Sequence, residues 1–483
     1  MKMPIPRPKN FKTLGGYIPA TVMADDVDIV FENALNIYKE YFQKVFGEVA
    51  STKKGITVKV DTKLDDGYRI LIDDFVVISV ANTNGINYAF STLLQLAEKV
   101  DGEIVYPRVE IFDYPDSDWR GFMQDLARCY HEPQYLYAVA DLCWLCKINH
   151  LQLHLTDDQG VRFPFSKLPK AVSEQHYTKK ELSDFVDYCT KRGIIVVPEL
   201  DAPGHARAFN TAYPEIFGPP PVKTDMQTTV QDHMISGIMQ AEEKVFSALK
   251  EMFGEVAEIF SNSPYIHIGG DEADIKKWDE FEPSVEYRKS KGLNNTHELY
   301  GHYVAKLCNM VLDLNKIPVV WEGFSEECNH MIPKETLVFA WESYYQLAPQ
   351  LIKDGFKVIN ASWKPLYVVT PTLMWDQDVI LDWEKNVWTH WWDQSFAFKN
   401  PIRVDKDAPV LGGQICSWGD RLHPDVAYAS RTEMIKDEFY NVALRLPALA
   451  EKTWTSFNTP DKEAFKKDYE FFMQCLETII KDL

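Results

Sequence analysis

The stretch YIHIGGDE, residues 265–272, is a short apolar run that ends in two glycines and two adjacent acids. A run of this length predicts a buried β-strand. Glycine inside such a pattern weakens the strand and marks a bulge or the close approach of another group. Adjacent residues of a regular strand point to opposite faces, so Asp271 and Glu272 can serve one site only if the strand ends or distorts there. The stretch therefore indicates either a paired functional site or a solvated strand end.

Seven further runs of this kind occur in the chain, with helical patterns between them. The eight runs cover residues 121–127, 150–157, 193–201, 265–272, 317–324, 336–343, 357–363 and 410–420. Strands that alternate with helices predict βαβ units and parallel pairing. Eight of them in about 300 residues predict a (β/α)8 TIM barrel. A doubly wound open sheet is the alternative, but no GxGxxG follows a run, which disfavours its nucleotide-binding version.

The ends of the eight runs share a composition. Each run begins with apolar residues and finishes in acids or tryptophan, namely Asp125, Asp157, Glu199, Asp201, Asp271, Glu272, Trp321, Glu322, Trp341, Glu342, Trp363, Trp418 and Asp420. The carboxyl ends of barrel strands meet at one face, which carries the active site. The sequence therefore predicts one mouth lined with carboxylates and tryptophan.

Such a mouth suits a sugar substrate. Tryptophan faces stack on sugar rings, carboxylates bond the hydroxyls, and paired acids suit glycoside hydrolysis. Metal-dependent hydrolysis is the competing chemistry, because His154, His205 and His267 lie near strand ends. The chain has no HExxH, and histidines among carboxylates can equally tune pKa values. We therefore expect neither a metal nor another cofactor.

The regions flanking the barrel predict a two-part organisation. Residues 1–115 predict a small α+β domain, with strands at 55–60 and 67–81 and helical patterns at 27–47 and 85–100. The segment 106–121 is rich in Pro and Asp and predicts the join. Residues 116–483 would form the barrel with C-terminal helices, and 445–454 predicts the last barrel helix.

Composition narrows the partners and the compartment. The net charge of −20 argues against a nucleic-acid surface, which needs clustered Lys and Arg, and against an anionic membrane. No stretch approaches 18 consecutive apolar residues, so no transmembrane helix is expected. The N-terminus lacks the apolar segment of a signal peptide. We expect a cytoplasmic protein, unless an export signal has been removed.

The eight cysteines are scattered and do not form a disulfide framework. Cys143 and Cys146 make a single CxxC inside an apolar helical pattern. Redox or metal chemistry would be the functional interpretation. Without a second CxxC, the pattern favours two buried thiols.

The decisive stretch also resembles a known signature. YIHIGGDEAD, residues 265–274, is similar to the HxGGDE motif of family 20 glycoside hydrolases, the β-N-acetylhexosaminidases. Other segments resemble this family in the same order along the chain. They are residues 87–96 and 106–115 of the small domain, and 118–130, 151–164, 196–209, 319–324 and 412–420 of the barrel.

The resemblance implies an exo-acting β-N-acetylhexosaminidase that removes terminal β-linked GlcNAc or GalNAc from a glycan. The mechanism would be retaining and substrate-assisted, with the acetamido oxygen forming an oxazolinium intermediate. Glu272 would be the general acid, and Asp271 would orient the acetamido group. Repulsion from Asp271, together with burial, would raise the pKa of Glu272 towards neutrality.

The resemblance also implies residues that hold the sugar. Arg120 would bind the 3- and 4-hydroxyls, and Asp157 with His205 would position and tune Glu272. Three tryptophans (Trp321, Trp341 and Trp418) would form a wall around the acetamido methyl, and Asp420 would bind the outer hydroxyls. The family's Tyr-x-Asp near the seventh strand is missing. Tyr367 is the candidate replacement, with Trp363 and Lys364 as alternatives.

An aromatic insertion in residues 371–400 distinguishes this chain from the pattern. It predicts a wall or lid beside the site, a homodimer contact, or simple packing. Two other functions stay open: release of a disaccharide, as in lacto-N-biosidases of the same family, and a non-catalytic glycan-binding barrel. The adjacent acids disfavour the latter, and the absence of DxxDxDxE disfavours a family 18 chitinase. The sequence leaves open the natural glycan, its linkage and the oligomeric state.

Overall fold

Eight parallel strands close into a barrel in the computed structural model, which describes residues 2–47, 55–221, 237–420, 422 and 428–480. The strands are β1 (Trp119–Asp125), β2 (His150–His154), β3 (Ile195–Glu199), β4 (Tyr265–His267), β5 (Ile317–Trp321), β6 (Leu337–Ala340), β7 (Lys357–Asn360) and β8 (Val410–Ser417). Each pairs with the next along the chain, and β8 pairs in parallel with both β7 and β1. The predicted (β/α)8 barrel is confirmed, and every one of the eight runs contains a strand.

Helices cover the outside of the barrel. The longer ones are Pro133–Leu145, Lys179–Lys191, Glu243–Ile259, Glu282–Ser290, Thr296–Asp313, Arg431–Trp454 and Lys462–Ile479. Shorter ones are Arg207–Ala212, Pro214–Phe217, Ala348–Lys353, Trp363–Leu366 and Gln377–Leu381. The predicted last barrel helix lies inside Arg431–Trp454. None of the described helices is long and apolar enough to span a membrane.

The helix Lys179–Lys191 shows how the sequence sets such an element. Thr178 and Glu181 form a capping box that satisfies two backbone N–H groups at its start. Leu182, Phe185 and Cys189 are buried at a helical spacing, so one stripe packs on the barrel and the remaining faces stay polar.

Three short antiparallel pairs decorate the loops at the carboxyl ends of the strands. They are Thr156–Asp157 with Gly160–Val161, Tyr367–Val369 with Leu373–Met374, and Val387–Trp388 with Ile402–Arg403. The segment Tyr367–Val369 also pairs with the end of β8, opposite Cys416 and Ser417. This pairing fixes Tyr367 at the mouth of the barrel.

A seven-stranded mixed sheet precedes the barrel. Along the sheet its strands are Asn10–Pro19, Glu103–Asp113, Tyr68–Ile72, Val76–Val80, Ile56–Val60 and Ala24–Asp26, and Glu98–Val100 pairs with Glu103–Asp113. The helices Glu32–Phe46 and Thr83–Leu96 pack with it. The predicted strand at 55–60 and the helix within 27–47 are confirmed. The stretch 67–81 forms two antiparallel strands, and the predicted helix at 85–100 ends at Leu96, before the strand Glu98–Val100. The predicted boundary at residue 115 stays a prediction, between a sheet ending at Asp113 and a barrel beginning at Trp119.

Two further features of this region differ from what the sequence predicts. The segment 106–121 is not a simple join, because residues 106–113 belong to the strand Glu103–Asp113. The strand Asn10–Pro19 was not predicted. It is almost fully exposed and carries Gly15 and Gly16 at a register shift, so it lacks the alternation that identifies a strand.

All eight cysteines are free and buried. Cys143 and Cys146 lie at the end of the helix Pro133–Leu145, and burial raises the pKa of both thiols. Their interpretation as buried thiols is confirmed.

Arg120 lies at the amino-terminal end of β1, away from the mouth. Its guanidinium donates to the carbonyls of Lys147 and Ser117, at 2.9 and 2.8 Å, and to the Tyr88 hydroxyl at 2.6 Å. Trp454 packs over its charge, and the side chain is 1% exposed. The prediction that Arg120 binds sugar hydroxyls is therefore wrong, because these contacts use its donors to join the first domain to the barrel.

We predict that Arg120→Met lowers the free energy of unfolding by about 2–4 kcal/mol, because it leaves buried acceptors without donors. Denaturant unfolding measures this loss. Arg108→Met is the matched control: Arg108 forms an ion pair with Asp73 at 3.2 Å, both side chains partly exposed, so its loss should cost under about 0.5 kcal/mol. Equal effects of the two variants would contradict the domain-joining role.

Candidate active site

The chain leaves β4 through a turn that only glycine allows. Gly269 and Gly270 have φ of 69° and 87°, in the left-handed region. A Cβ on Gly269 would lie 1.9 Å from Asp201 Oδ1. The Gly270 N–H donates to the same oxygen at 3.3 Å, and the Gly270 carbonyl accepts from the Tyr300 hydroxyl. The turn is therefore pressed against Asp201 from one side and held by Tyr300 from the other.

This turn brings both acids to one imidazole. His205 Nε2 lies 3.4 Å from Glu272 Oε2 and 4.0 Å from Asp271 Oδ2. Glu272 and His205 themselves have φ of 45° and 50°, which side chains other than Gly seldom adopt and which cluster at functional sites. The end of β4 is therefore distorted so that two consecutive acids face the same space.

His205 carries a positive charge that its neighbours stabilise. Burial opposes protonation, but Asp157 and Asp201 outweigh burial and hold the pKa of His205 well above its usual range. Asp157 Oδ1 lies 3.5 Å from Nδ1, on the far side of the ring from Glu272. His205 therefore links Asp157 to the acid pair.

A second buried network lies beneath, at the ends of β2, β3 and β5. His154 bonds both Asp157 Oδ2 at 2.9 Å and Glu199 Oε2 at 2.7 Å. Glu199 also accepts from the Trp321 indole N–H at 2.6 Å. Burial would raise the pKa of Glu199, but His154 and His267 lower it overall, so the carboxylate stays ionised. This network fixes the base of the pocket.

The two acids at the centre of the site differ in burial. Asp271 is 6% exposed, and burial raises its pKa to about 7, with repulsion from Glu272 adding to the effect and His205 opposing it. Its Oδ1 is buried without a hydrogen-bond partner among the described residues. The Glu272 side chain is 17% exposed. Asp271 therefore offers an unused acceptor inside the pocket, whereas Glu272 lies nearer the opening.

Four aromatic rings enclose the space beside these acids. Trp321, Trp341, Tyr367 and Trp418 form a closed ring of contacts, with centroids 5.9–6.4 Å apart along each side. All four side chains are buried. The rings come from the ends of β5, β6 and β8 and from the Tyr367–Val369 segment. They form a small apolar pocket, which we call the four-ring pocket.

Arg128, unlike Arg120, lies at the mouth of the barrel. It follows β1, and its guanidinium bonds Asp125 Oδ2 at 3.1 Å and Asp157 Oδ2 at 2.8 Å. The guanidinium carbon lies 4.9 Å from the centre of the Trp418 ring, and the charge of Asp420 helps to raise the pKa of Arg128. Arg128 was missed, although its place just after a strand is the signal that selected the other candidates.

The structure thus brings nine of the ten predicted site residues to the carboxyl ends of the strands. They are Asp157, His205, Asp271, Glu272, Trp321, Trp341, Tyr367, Trp418 and Asp420. Arg120 is the exception. Glu342, noted in the sequence without a role, also lies here, close enough for the charge of Glu272 to raise its pKa.

Three groups of described residues have the donor types of a metal site. They are His154 with Glu199 and Asp201, Asp157 with Asp158 and His205, and Asp201 with His205 and Asp271. Every group contains a histidine that also pairs with carboxylates of the two buried networks. His205 also opposes the rise in the pKa of Asp271, which is the tuning role expected for these histidines.

The chain is similar to known glycoside hydrolases. The description "Glycosyl hydrolase family 20, catalytic domain" matches residues 117–457. A β-hexosaminidase of Akkermansia muciniphila is 30% identical over 430 residues, which are 85% of this chain and 83% of that protein. The β-hexosaminidase subunit beta of Entamoeba histolytica is 26% identical over 428 residues, covering 83% and 71%.

Solved structures share the fold along almost the whole chain. A family 20 exo β-N-acetylglucosaminidase from Vibrio harveyi, in complex with N-acetylglucosamine, has a TM-score of 0.80 at 21% identity and covers 99% of this chain and 78% of its own. A β-N-acetylhexosaminidase from Bacteroides fragilis has a TM-score of 0.76 at 22% identity, covering 98% and 96%.

The matched residues include the barrel, the acid pair and the four-ring pocket. The chain belongs to glycosyl hydrolase family 20 and is a glycoside hydrolase.

We predict that Gly269→Ala lowers the free energy of unfolding by at least about 2 kcal/mol, because the new Cβ would collide with Asp201 in a conformation that alanine rarely adopts. Gly254→Ala is the control. Gly254 lies in the helix Glu243–Ile259 with open space around its Cα, so alanine should stabilise by up to about 1 kcal/mol. Chemical denaturation measures the free energy of unfolding of both variants. An unchanged value for Gly269→Ala would contradict the proposed strain.

Proposed function

We propose that this protein is an exo-acting β-N-acetylhexosaminidase that removes terminal β-linked GlcNAc or GalNAc from glycans. The observation that carries the proposal is the contact of His205 with both Asp271 and Glu272 beside the four-ring pocket. An acid pair next to an apolar pocket lined by four aromatic rings suits a sugar with an acetamido group. The relatives named β-hexosaminidase support the same substrate class.

The proposed reaction proceeds in two steps at the anomeric carbon. Glu272 gives its proton to the glycosidic oxygen while the acetamido oxygen of the substrate forms a bond to that carbon, and the bond to the leaving group breaks. The product of this step is an oxazolinium ion. Glu272, now a carboxylate, takes a proton from water, whose oxygen adds to the anomeric carbon while the bond from that carbon to the acetamido oxygen breaks and the acetamido group is restored. Two inversions retain the β-configuration.

Asp271 acts on the acetamido nitrogen in this scheme. Its unused Oδ1 accepts the N–H, which holds the acetamido oxygen near the anomeric carbon and stabilises the charge of the oxazolinium. The base of the pocket holds Asp271 in place, because Asp201 bonds the preceding Gly270 N–H. His205 lies between Asp157 and Glu272 and keeps the proton donor oriented.

The remaining groups bind the sugar. The four-ring pocket encloses the acetamido methyl. Burial holds the pKa of Tyr367 well above its usual range, so its hydroxyl stays protonated and can donate to the acetamido oxygen. Arg128 and Asp420 bind the outer hydroxyls, because both lie at the mouth on the β1 and β8 side.

Chromogenic glycosides test the proposal directly. The panel contains the β-GlcNAc, β-GalNAc, 6-sulfated β-GlcNAc and lacto-N-biosyl nitrophenyl glycosides. We expect turnover of one or more of the single-sugar substrates. Turnover of the lacto-N-biosyl substrate alone would show release of a disaccharide, and no turnover of any would leave a non-catalytic glycan-binding barrel.

We predict that Glu272→Gln lowers kcat by about 10³-fold or more, because the amide keeps the shape of the acid but has no proton to transfer. Binding of the product N-acetylglucosamine should change little, which calorimetry measures. Glu282→Gln is the control, since Glu282 lies outside the mouth at the start of the helix Glu282–Ser290. Near-normal kcat in Glu272→Gln would remove Glu272 as the acid.

We predict that Asp271→Asn separates activity from stability. In wild type, kcat/KM should fall as the pH drops below about 7, because protonation of Asp271 removes the negative charge that stabilises the oxazolinium. The Asn variant should lose at least about 10²-fold in kcat/KM at pH 8 and should lack this acid limb. An unchanged pH profile would argue against assistance by the acetamido group.

The stability of the same variant should change in the opposite direction. The folded-state pKa of Asp271 lies above its ordinary value of 3.8, so folding takes up a proton between about pH 4 and 7 and stability falls as the pH rises through that window. Asn carries no charge and avoids this loss. Above pH 7 the free energy of unfolding of the variant should exceed that of wild type by about 1–3 kcal/mol. This gain should disappear below about pH 4.

A further inference from the structure

A band of aromatic side chains continues from the four-ring pocket to the surface. Trp363 lies 6.0 Å from Trp341 and 5.1 Å from Tyr367, between ring centroids, and Trp391 lies 5.3 Å beyond Trp363. On the other side Tyr344 contacts Trp392 at 5.3 Å and Tyr345 at 5.2 Å. His390 lies between the two groups. We call Trp363, His390, Trp391, Trp392, Tyr344 and Tyr345 the aromatic rim.

The rim is a built structure and not a loose loop. Ser395 of the insertion donates its hydroxyl to the Glu342 carbonyl at 2.6 Å, and the Phe396 N–H donates to the Ser343 carbonyl at 3.1 Å. The carboxylate of Glu322 in turn accepts from the N–H groups of Ser343 and Tyr344 at 3.1 and 2.9 Å. The insertion is therefore fixed to the loop that follows β6.

Three rings of the aromatic rim remain open to solvent, whereas His390 between them is buried. Trp391, Tyr344 and Tyr345 are 39%, 43% and 39% exposed, although each touches another aromatic ring. A connected exposed aromatic surface of this kind marks a binding site more often than a packing accident. Because this surface is continuous with the four-ring pocket, a ligand that occupies the pocket can extend onto the aromatic rim.

Glu342 places a polar group beside the rim. Its side chain is 6% exposed, and its carboxyl makes no hydrogen bond or ion pair with any residue that the structure describes. Burial, with Glu272, Glu322 and Asp271 nearby, raises the pKa of Glu342 to about 9. It therefore carries a proton at neutral pH and can donate a hydrogen bond.

The position of the proton donor decides which part of a substrate meets the rim. In the proposed function, on which this inference rests, Glu272 gives its proton to the glycosidic oxygen, so the leaving group lies on the Glu272 side of the pocket. Burial raises the pKa of Glu342 and of Tyr345, and the nearby charges of Glu272 and Asp271 add to this, so the rim side of the pocket is the side of the acid pair. Arg128 and Asp420, which hold the outer hydroxyls, lie instead on the β1 and β8 side.

We propose that the aromatic rim and Glu342 bind the next sugar ring of an oligosaccharide, on the leaving-group side of the scissile bond. The aromatic faces stack on this ring, and the Glu342 carboxyl bonds one of its hydroxyls. The insertion thereby makes the enzyme prefer oligosaccharides to glycosides with small leaving groups.

The test compares two substrates with similar alkoxide leaving groups. One is methyl β-GlcNAc, which has no second ring, and the other is the β-1,4-linked disaccharide of GlcNAc. We expect the double variant Trp391→Ala/Trp392→Ala to lower kcat/KM for the disaccharide at least tenfold and for the methyl glycoside less than twofold. Tyr440→Ala is the matched control, because Tyr440 is 44% exposed on the helix Arg431–Trp454 and should change neither value.

Two further variants guard against misfolding and separate the roles. Tyr344→Ala removes a single exposed ring and should show the same selective loss in smaller measure. Glu342→Ala should lower kcat/KM for the disaccharide about tenfold more than for the methyl glycoside, and Glu342→Gln should restore it because the amide also donates. Melting temperatures establish that each variant is folded.

Four outcomes would overturn the inference. Equal losses on both substrates would make the rim a support of the pocket, and no loss on either would make it uninvolved. Loss confined to a lacto-N-biosyl substrate would place the rim on the other side of the terminal sugar. A change of mass in light scattering, without a selective loss, would make it a contact between copies of this chain. A wild-type enzyme that cleaves neither substrate nor the chromogenic panel would contradict the proposed function instead.

Discussion

The site depends on one close contact, that of the Gly269–Gly270 turn with the Asp201 carboxylate. Space for a side chain is absent there, and both glycines adopt the left-handed conformation. A strand that continued regularly would send Asp271 and Glu272 to opposite faces. The turn ends β4 early, and the backbone of the next residues can then direct both acids to His205. Two glycines therefore convert an ordinary strand end into an acid pair.

A second constraint follows from putting so many carboxylates in one buried place. Each uncompensated charge there would cost several kcal/mol, so the ionised carboxylates have cationic or donor partners. Asp157 lies between Arg128, His154 and His205, and Glu199 meets two histidines and an indole N–H. Asp271 has only the more distant His205, Glu342 has no ion pair among the described residues, and burial raises the pKa of each. Burial also raises the pKa of Asp201 and Glu322, but these two accept hydrogen bonds from backbone N–H groups. Asp271 differs from them in that its Oδ1 has no partner among the described residues, so it can accept a hydrogen bond from a substrate.

Much of this architecture could be predicted from the sequence because it is periodic. Apolar runs with polar ends identified all eight barrel strands, and the same rule located seven of the ten site residues, whereas His205 and Tyr367 came from the family resemblance. Arg120 shows where the rule was not followed: it lies at the start of β1, whereas Arg128 follows β1, and only the carboxyl end of a strand faces the mouth. The exposed strand Asn10–Pro19 escaped because an edge strand without a buried face has no pattern to detect. The three tryptophans of the four-ring pocket lie at strand ends and were expected there, whereas the place of Tyr367 depends on the pairing of Tyr367–Val369 with β8, which sequence spacing does not encode.

The acids of the site and the groups proposed to set its substrate preference come from different parts of the chain, as the insertion in residues 371–400 illustrates. The acid pair, His205 and the buried networks come from strand ends, whose positions the closed barrel fixes. Tyr344 and Tyr345 of the aromatic rim come from the loop after β6. The other members come from the segment between β7 and β8, which can lengthen without disturbing the pairing of the barrel strands. It is nevertheless fastened to the β6 loop, and Glu322 holds that loop from the neighbouring strand. Because the fastening reaches the strand ends, rings added far from the acids along the chain still lie within reach of the bond that the acids would break.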